Sequence, residues 1–201
     1  MVRILGIDPG TQIVGFGCLE IAVGEVRVRG DNVPIALRAS NVVRASSTVT
    51  GGVRLLVAGA LRLGKRTTGL PSRLQVLAEQ FRALIAQWAP HEVAVEQAFH
   101  GKSVQAALRI GEARGVVLAE AAAAGLAVHQ FAPARIKRCV TGNGAASKVV
   151  VAAMVKRLLG DLGVLGVSPR ADTTDAVAAA WTRLEERRSP LVAARARTLD
   201  L

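Results

Sequence analysis

The most constraining feature of this sequence is a short apolar run that ends in a carboxylate, Arg3-Ile4-Leu5-Gly6-Ile7-Asp8-Pro9-Gly10. The run has the length of a buried β-strand, and Pro9-Gly10 ends it. Because an unpaired buried carboxylate is energetically costly, Asp8 needs a partner. A capping bond to the Pro9-Gly10 turn would satisfy it. The more specific interpretation is that Asp8 binds a divalent cation. This requires other acids to lie close to Asp8.

The charge balance favours a polyanionic partner. The chain of 201 residues carries 26 Lys and Arg against 15 Asp and Glu, a formal net charge of +11. Nucleic acid is a likelier partner for this charge than a membrane. No apolar stretch approaches the length of a membrane span without charges or glycine breaks. A GC-rich genome would account for some of the Arg and Ala but not for the shortage of acids. We expect one domain at 1–188 and a mobile tail at 189–201.

The cysteines and histidines offer no obvious metal or redox site. Cys18 and Cys139 form no C-x-x-C pair, and the first residues do not resemble a signal peptide. We therefore predict free thiols and a reducing, cytoplasmic location. His91, His100 and His129 are scattered without zinc spacing and are interpreted as ordinary core or surface residues.

Hydrophobic periodicity predicts an α/β protein with a mixed five-stranded sheet that begins as an antiparallel meander. The predicted strands start at Ile4 and then cover 13–21, 53–65, 92–96 and 127–131. The predicted helices start at Leu70 and then cover 103–124, 147–159 and 171–188. Residues 22–52 are weakly patterned, apart from an alternating stretch at 25–29, and are interpreted as an inserted or extended hairpin.

Three further acids stand where they could reach the pocket of Asp8. Glu96 ends the strand 92–96, whereas Asp172 and Asp175 lie three apart in the first turn of the last helix and share a face. Acids at that position also complement the helix dipole, which is the alternative explanation. If the first and fourth strands are neighbours and the helix packs across them, all four carboxylates converge.

Four oxygen donors without histidine or thiolate suit Mg²⁺ or Mn²⁺ rather than zinc. Two such ions roughly 4 Å apart activate water and stabilise the leaving oxygen of a phosphodiester. In a strongly basic chain, this ligand set predicts a metal-dependent nuclease.

Several motifs give the sequence a resemblance to a known family, RuvC of the Holliday-junction resolvases, within the RNase H-like superfamily. They follow one another along nearly the whole chain apart from the 22–52 insertion. The motifs are Leu5-Gly6-Ile7-Asp8-Pro9-Gly10, Leu70-Pro71-Ser72-Arg73-Leu74, Ala94-Val95-Glu96-Gln97-Ala98-Phe99, Gly111-Glu112-Ala113-Arg114-Gly115 and Ala171-Asp172-Thr173-Thr174-Asp175-Ala176.

The resemblance implies an RNase H-like fold with helices on both faces of the sheet, and a catalytic and metal-binding tetrad of Asp8, Glu96, Asp172 and Asp175 holding two Mg²⁺, for which Mn²⁺ can substitute. It implies a homodimer that cuts opposing strands of a four-way DNA junction symmetrically, leaving 5′-phosphate and 3′-hydroxyl ends. The RuvA–RuvB branch-migration complex is a further candidate partner.

The same resemblance implies DNA contacts, each with an ordinary alternative. Phe99 would stack on a base at the opened crossover, or simply anchor its loop. Lys137 and Lys148 would contact DNA near the scissile phosphate. Without the resemblance, both lysines would be interpreted as ordinary solvated side chains. Arg114 is a further candidate DNA contact. The helix 103–124 corresponds to the dimer helix, or else packs only against its own sheet.

The sequence departs from the family pattern at two places. The hairpin within 22–52 is longer than expected, and its arginines either add DNA contacts or belong to a disordered loop. Glu112 replaces an uncharged amide, so dimer contacts can differ. The arginines in question are Arg27, Arg29, Arg38 and Arg44.

Three rival functions stay open at this point. Gly6–Thr11 resembles the first phosphate loop of actin-like ATPases and sugar kinases, but those proteins need a duplicated domain. A non-catalytic junction-binding protein would keep the fold and the charge, although close carboxylates without a metal repel one another. An RNase H-like nuclease with another branched or RNA substrate is the nearest rival.

Overall fold

The computed structural model describes residues 1–21, 42–44, 52–65, 67–97, 104–159 and 171–188. It shows an α/β protein built on one mixed sheet, as the sequence predicts. The elements are β1 (Val2–Asp8), β2 (Ile13–Ile21), β3 (Val42–Arg44), β4 (Val53–Arg62), α1 (Leu70–Trp88), β5 (Glu92–Glu96), α2 (Val104–Ala123), β6 (Ala127–Phe131), α3 (Pro133–Thr141), α4 (Lys148–Leu159) and α5 (Ala171–Arg188).

The sheet has the order β3-β4-β2-β1-β5-β6. Strands β1, β2, β4 and β3 form the antiparallel part, while β5 lies parallel to both β1 and β6. The five predicted strands are present, and the three-residue β3 adds a sixth at the edge. Because β1 and β5 are parallel neighbours, their carboxyl ends meet at one edge of the sheet.

Alternate side chains of the sheet enter two separate cores. Leu5 and Ile7 of β1 pack with Phe81 on the face covered by α1 and α2. Ile4 packs with Trp181 on the opposite face, which α3, α4 and α5 cover. This alternation is the period-2 pattern of strands that are buried on both faces.

Helix α5 crosses the sheet at very short range because glycines lie beneath it. A Cβ added at Gly6 would stand 2.0 Å from the backbone oxygen of Ala176, and one at Gly15 would stand 1.9 Å from that of Asp172. Real side chains do not fit into such gaps. Gly17 is a third such position, since a Cβ there would stand 2.4 Å from a side-chain carbon of Val177 in α5.

The structure also departs from the predicted elements. Helix α3 was not predicted, because it is only nine residues long, three of them are basic, and only two side chains are buried. The predicted strand at 25–29 and the tail 189–201 lie outside the described residues, and of the 22–52 insertion only β3 and Gly52 are described. The division into a domain at 1–188 and a tail stays a prediction.

Cys18 and Cys139 are free thiols, as expected. A search of the described helices finds none that is both long and apolar enough to cross a bilayer. The cytoplasmic location stays a prediction.

Candidate active site

The register between β1 and β5 makes Asp8 and Glu96 neighbours. Ile7 pairs with Val95, so the next residue on each strand is one of these acids. Both side chains point to the face of the sheet that α5 covers, because they alternate with residues of the α1–α2 core. The strands therefore fix both carboxylates on rigid backbone.

Helix α5 supplies the third carboxylate. Oxygens of Asp8, Glu96 and Asp175 lie within 4.8 Å of one another, and all three residues are half-buried. The helix is fixed to the sheet in its first turn, where the Thr173 hydroxyl donates a 3.1 Å hydrogen bond to the backbone oxygen of Gly59. We call Asp8, Glu96 and Asp175 the acid group.

Asp172 does not belong to the acid group as the structure describes it. It lies one helical turn before Asp175, and it is half-buried. Its charge nevertheless reaches Asp8, because it contributes to raising the pKa of that residue. The structure thus brings together three of the four predicted ligands and leaves the fourth at the margin of the same pocket.

The acid group is electrostatically strained without a cation. Burial is the largest cause that raises the pKa of Asp8 from 3.8 to about 8, and the neighbouring charges of Glu96, Asp175 and Asp172 add to it. Burial and then Asp175 raise the pKa of Glu96 from 4.5 to about 7. Both shifts show that the site disfavours uncompensated negative charge.

Two lysines provide part of the compensation. The Lys148 ammonium donates a 2.7 Å hydrogen bond to Oδ2 of Asp175, and this bond raises the pKa of the lysine. Lys148 also opposes the rise in the pKa of Asp8 and of Glu96, and Lys137 opposes the rise in the pKa of Glu96. Both predicted DNA-contact lysines therefore lie beside the acid group, and the Lys148 side chain is 65% exposed.

Buried acids elsewhere are neutralised differently. Glu20 binds Arg3 at 2.8 Å and Arg54 at 2.7 Å. Arg183 and Arg187 bind Glu92, and Arg183 does so at 2.5 Å. In the described ranges no arginine is hydrogen-bonded or ion-paired to the acid group, so these carboxylates keep oxygen lone pairs for another cation.

The donor chemistry of the acid group fits a hard divalent metal ion. It offers only carboxylate oxygens, it is half-buried, and its charges repel one another until a cation joins them. A monovalent lysine compensates one carboxylate, whereas a divalent ion would bridge several. Three of the four acids that the sequence predicted as ligands come together here, and their role as ligands stays a prediction. No sequence pattern indicated that arginines neutralise the buried acids Glu20 and Glu92.

Sequence analysis assigned no role to Arg73, which fixes the turn that follows Asp8. Arg73 is only 6% exposed, and its guanidinium donates a 2.6 Å hydrogen bond to the backbone oxygen of Thr11. On the other side of the turn, the Leu63 N–H donates to the oxygen of Gln12 at 3.0 Å. Nothing in the sequence marks Arg73 as buried, since arginines at a helix start are ordinarily solvated.

The remaining predicted DNA contacts are placed as follows. Arg114 donates a hydrogen bond to Oε1 of Gln130, and so links α2 to β6. Phe99 lies outside the described residues, as do Arg27, Arg29 and Arg38 of the insertion. These roles stay predictions.

The sheet order, with carboxylates at the ends of β1 and β5 and on the helix that crosses them, defines a protein of the RNase H-like class. The family model described as "Crossover junction endodeoxyribonuclease RuvC" matches residues 39–183. The chain belongs to this family.

Curated relatives match over most of their length. A crossover junction endodeoxyribonuclease RuvC of Halorhodospira halophila is 38% identical over 194 residues, which are 96% of each chain. Another, of Methylococcus capsulatus, is 32% identical over 189 residues, or 94% of each chain. The family resemblance that the motifs indicate is confirmed.

Solved structures match the fold as well. Thermus thermophilus RuvC superposes with a TM-score of 0.68 at 26% identity, covering 93% of this chain and 96% of that one. The yeast mitochondrial Holliday junction resolvase Ydc2 superposes with a TM-score of 0.59 at 16% identity, covering 90% of this chain and 78% of the other. Its low identity means that this likeness concerns the fold alone.

Proposed function

We propose that this protein is an endonuclease that recognises four-way DNA junctions and resolves them by hydrolysing two opposing strands. The products are nicks with 5′-phosphate and 3′-hydroxyl ends, as recombination and repair require. The observation that carries the proposal is the acid group, in which three carboxylates from three elements converge and none is paired with an arginine of the described ranges. Membership of the RuvC family supports the choice of substrate.

Mg²⁺ is the proposed cofactor, with two ions held by the acid group and Asp172. When bound, such ions activate the attacking water and stabilise the leaving oxygen of the phosphodiester. The position of Asp172 one turn before Asp175 makes it the candidate outer ligand. Mn²⁺, with the same preference for oxygen ligands, is expected to substitute.

The chain itself contributes order and positive charge. Asp8 and Glu96 sit on paired strands, so their carboxylates need little reorganisation on binding. Lys148 and Lys137 place positive charge beside the acids, where the scissile phosphate of a DNA strand would approach. We therefore propose that both lysines position that phosphate.

The outer face of α2 is the proposed homodimer surface. Val104 and Leu108 are 75% and 65% exposed, which is unusual for apolar side chains. Added Cβ atoms at Gly111 and Gly115 would meet nothing within 4 Å, so a second helix could approach closely there. The inner face of α2 packs on its own sheet side through Ala113, Val117 and Ala121.

A cleavage assay tests the proposed function. The protein is incubated in Mg²⁺ with a synthetic four-way junction, a linear duplex and an RNA–DNA hybrid. We expect paired nicks in opposing strands of the junction and little cutting of the other substrates. Preferential cutting of the hybrid would instead favour the related class of RNase H-like nucleases.

Neutral variants separate catalysis from binding. Asp8→Asn and Glu96→Gln should bind the junction as the unmodified chain does, but their cleavage rates should fall at least about a thousandfold, because ligands of the metal ions are lost. Glu79→Gln, on the exposed side of α1, is the matched control and should cut normally. If Asp8→Asn cuts at the rate of the unmodified chain, the proposed metal site is wrong. If the unmodified chain binds the junction but does not cut it, a non-catalytic junction-binding protein is favoured.

A further inference from the structure

The end of β4 lies at the same sheet edge as the acid group. Asp8 pairs with Gly15, and Gly15 pairs in turn with Ala60. Two residues further along β4, Arg62 pairs with Ile13. Because side chains alternate along a strand, Arg62 projects from the same face of the sheet as Asp8, two strand spacings or roughly 10 Å across.

Arg62 and the nearby Lys65 are both exposed. Within the described part of the chain, neither side chain has a hydrogen bond or an ion pair with an acid. The backbone around Lys65 is fixed, since its N–H donates to the Thr68 hydroxyl at 3.2 Å and its oxygen accepts from the Thr68 N–H at 3.0 Å. The end of β4 therefore carries two positively charged side chains that no acid of the described residues neutralises, on backbone that is held by hydrogen bonds.

The two cations come from a different element than the lysines described above. Lys137 and Lys148 belong to α3 and α4, whereas Arg62 and Lys65 lie at and just after the end of β4. Positive charge from three separate elements therefore stands near the acid group at this edge of the sheet. A polyanion wider than a single phosphate fits this arrangement.

We propose that Arg62 and Lys65 bind backbone phosphates of the DNA arm that extends from the cut strand over the β4 side of the sheet. The inference rests on the proposed function, because it names a contact surface for the same substrate. A guanidinium binds phosphate oxygens through two parallel N–H donors, and an ammonium acts as a point charge. Neither contact reads base sequence, so both should contribute equally to any junction.

The test is the salt dependence of junction binding. Affinity for a synthetic four-way junction is measured in EDTA, so that no strand is cut, at several salt concentrations. Each phosphate contact contributes about 0.9 to the slope of log affinity against log salt. The double variant Arg62→Ala, Lys65→Ala should therefore lose about 1.8 of that slope, and each single variant about half as much.

Matched variants make the result specific. Arg157→Ala removes an exposed arginine from the last turn of α4, about 14 Å along the helix axis from Lys148, and should leave the slope unchanged. The charge-conserving Arg62→Lys should keep the slope. Because Arg62 and Lys65 are exposed, we expect unchanged melting temperatures. Arg62→Gln, which retains the aliphatic stem, replaces any alanine variant that fails to fold.

An unchanged slope in the double variant, with the unmodified chain cutting the junction, overturns this inference and leaves the proposed function intact. A reduced slope in the double variant, with an unmodified chain that binds but does not cut, supports the surface and contradicts the proposed function. A slope reduced equally by Arg157→Ala would also overturn the inference, since the effect would then be one of net charge.

Discussion

At the scale of single residues, the site is a set of carboxylates held together against their mutual repulsion. The raised pKa values of Asp8 and Glu96 express that cost directly. A protein optimised for stability alone would pair these acids with arginines, as it does for Glu20 and Glu92. The described residues pair only Asp175 of the acid group, with Lys148, so the group is best explained as a binding site for a further cation.

This strain predicts an unusual dependence of stability on pH. Asp8 titrates near pH 8 and Glu96 near pH 7 in the folded chain, whereas both titrate near pH 4 when it is unfolded. The folded state binds these protons more tightly, so their contribution to stability is present below about pH 4 and is lost as pH rises through 7 to 8. In EDTA, we expect the melting temperature to fall between about pH 4 and pH 8.

Two comparisons isolate the cause. Mg²⁺ should restore stability at about pH 8, because it binds the ionised carboxylates of the folded state. Asp8→Asn should be more stable than the unmodified chain in EDTA at that pH, by on the order of 2 kcal/mol, and should lose most of the Mg²⁺ effect. Thermal unfolding measured across the pH range checks both. If Asp8→Asn is less stable than the unmodified chain at high pH, the strain argument is wrong.

At the scale of elements, the site depends on how closely α5 approaches β1 and β2. The glycines under the helix set that distance, and the Thr173 bond to Gly59 fixes the helix along its axis. Asp175 reaches the two strand acids only because the first turn of α5 lies against Gly15. The geometry of the acid group and the close packing of α5 are therefore one property of the fold.

Gly15→Ala tests that dependence. Its new Cβ would stand 1.9 Å from the Asp172 backbone oxygen, so the start of α5 must move. We expect a loss of about 3 kcal/mol or more in the free energy of unfolding, together with a large loss of junction cleavage. Urea unfolding and a cleavage assay measure the two effects.

Gly69→Ala is the control for Gly15→Ala. Gly69 has a φ of −57°, which any residue adopts, and the nearest atom to its added Cβ is 3.9 Å away. Because Gly69 is the N-cap of α1 and alanine caps less well than glycine, this variant should lose at most about 1 kcal/mol of unfolding free energy, and it should cut like the unmodified chain. Equal behaviour of the two alanine variants would contradict the idea that close packing positions Asp175.

The same elements show what the sequence could predict. Apolar periodicity predicted the five long strands and four of the helices, because strands buried on both faces and amphipathic helices leave strong patterns. The sequence left the adjacency of Asp8 and Glu96 as a condition, and the parallel pairing of β1 with β5 meets it. Helix α3 was missed because it is short and rich in basic residues, and burial of Arg73 was missed because it depends on a tertiary contact with Thr11.

At the scale of the whole molecule, symmetric cutting of a junction requires two sites held in a fixed relation. The exposed apolar residues on the outer face of α2 are the proposed means, and a two-fold dimer would bring the same face of each copy together. The RuvA–RuvB complex remains a candidate partner by family membership alone.

Leu108→Asp tests the dimer. Leu108 is 65% exposed, so an aspartate is tolerated in the monomer, whereas in the proposed interface two like charges would be buried face to face. We expect a monomer by light scattering, unchanged folding, and nicking of single strands in place of paired cuts. Val149→Asp, at an apolar position on α4 that is 78% exposed, should remain dimeric. An unchanged dimer in Leu108→Asp would place the interface elsewhere.

The most direct measurement of the central claim is anomalous X-ray diffraction from crystals grown with Mn²⁺. The account predicts manganese peaks in the pocket between β1, β5 and α5, with Asp8, Glu96 and Asp175 as ligands and Asp172 at the second ion. An acid group that holds no manganese, or whose carboxylates point apart in the presence of the ion, would contradict it.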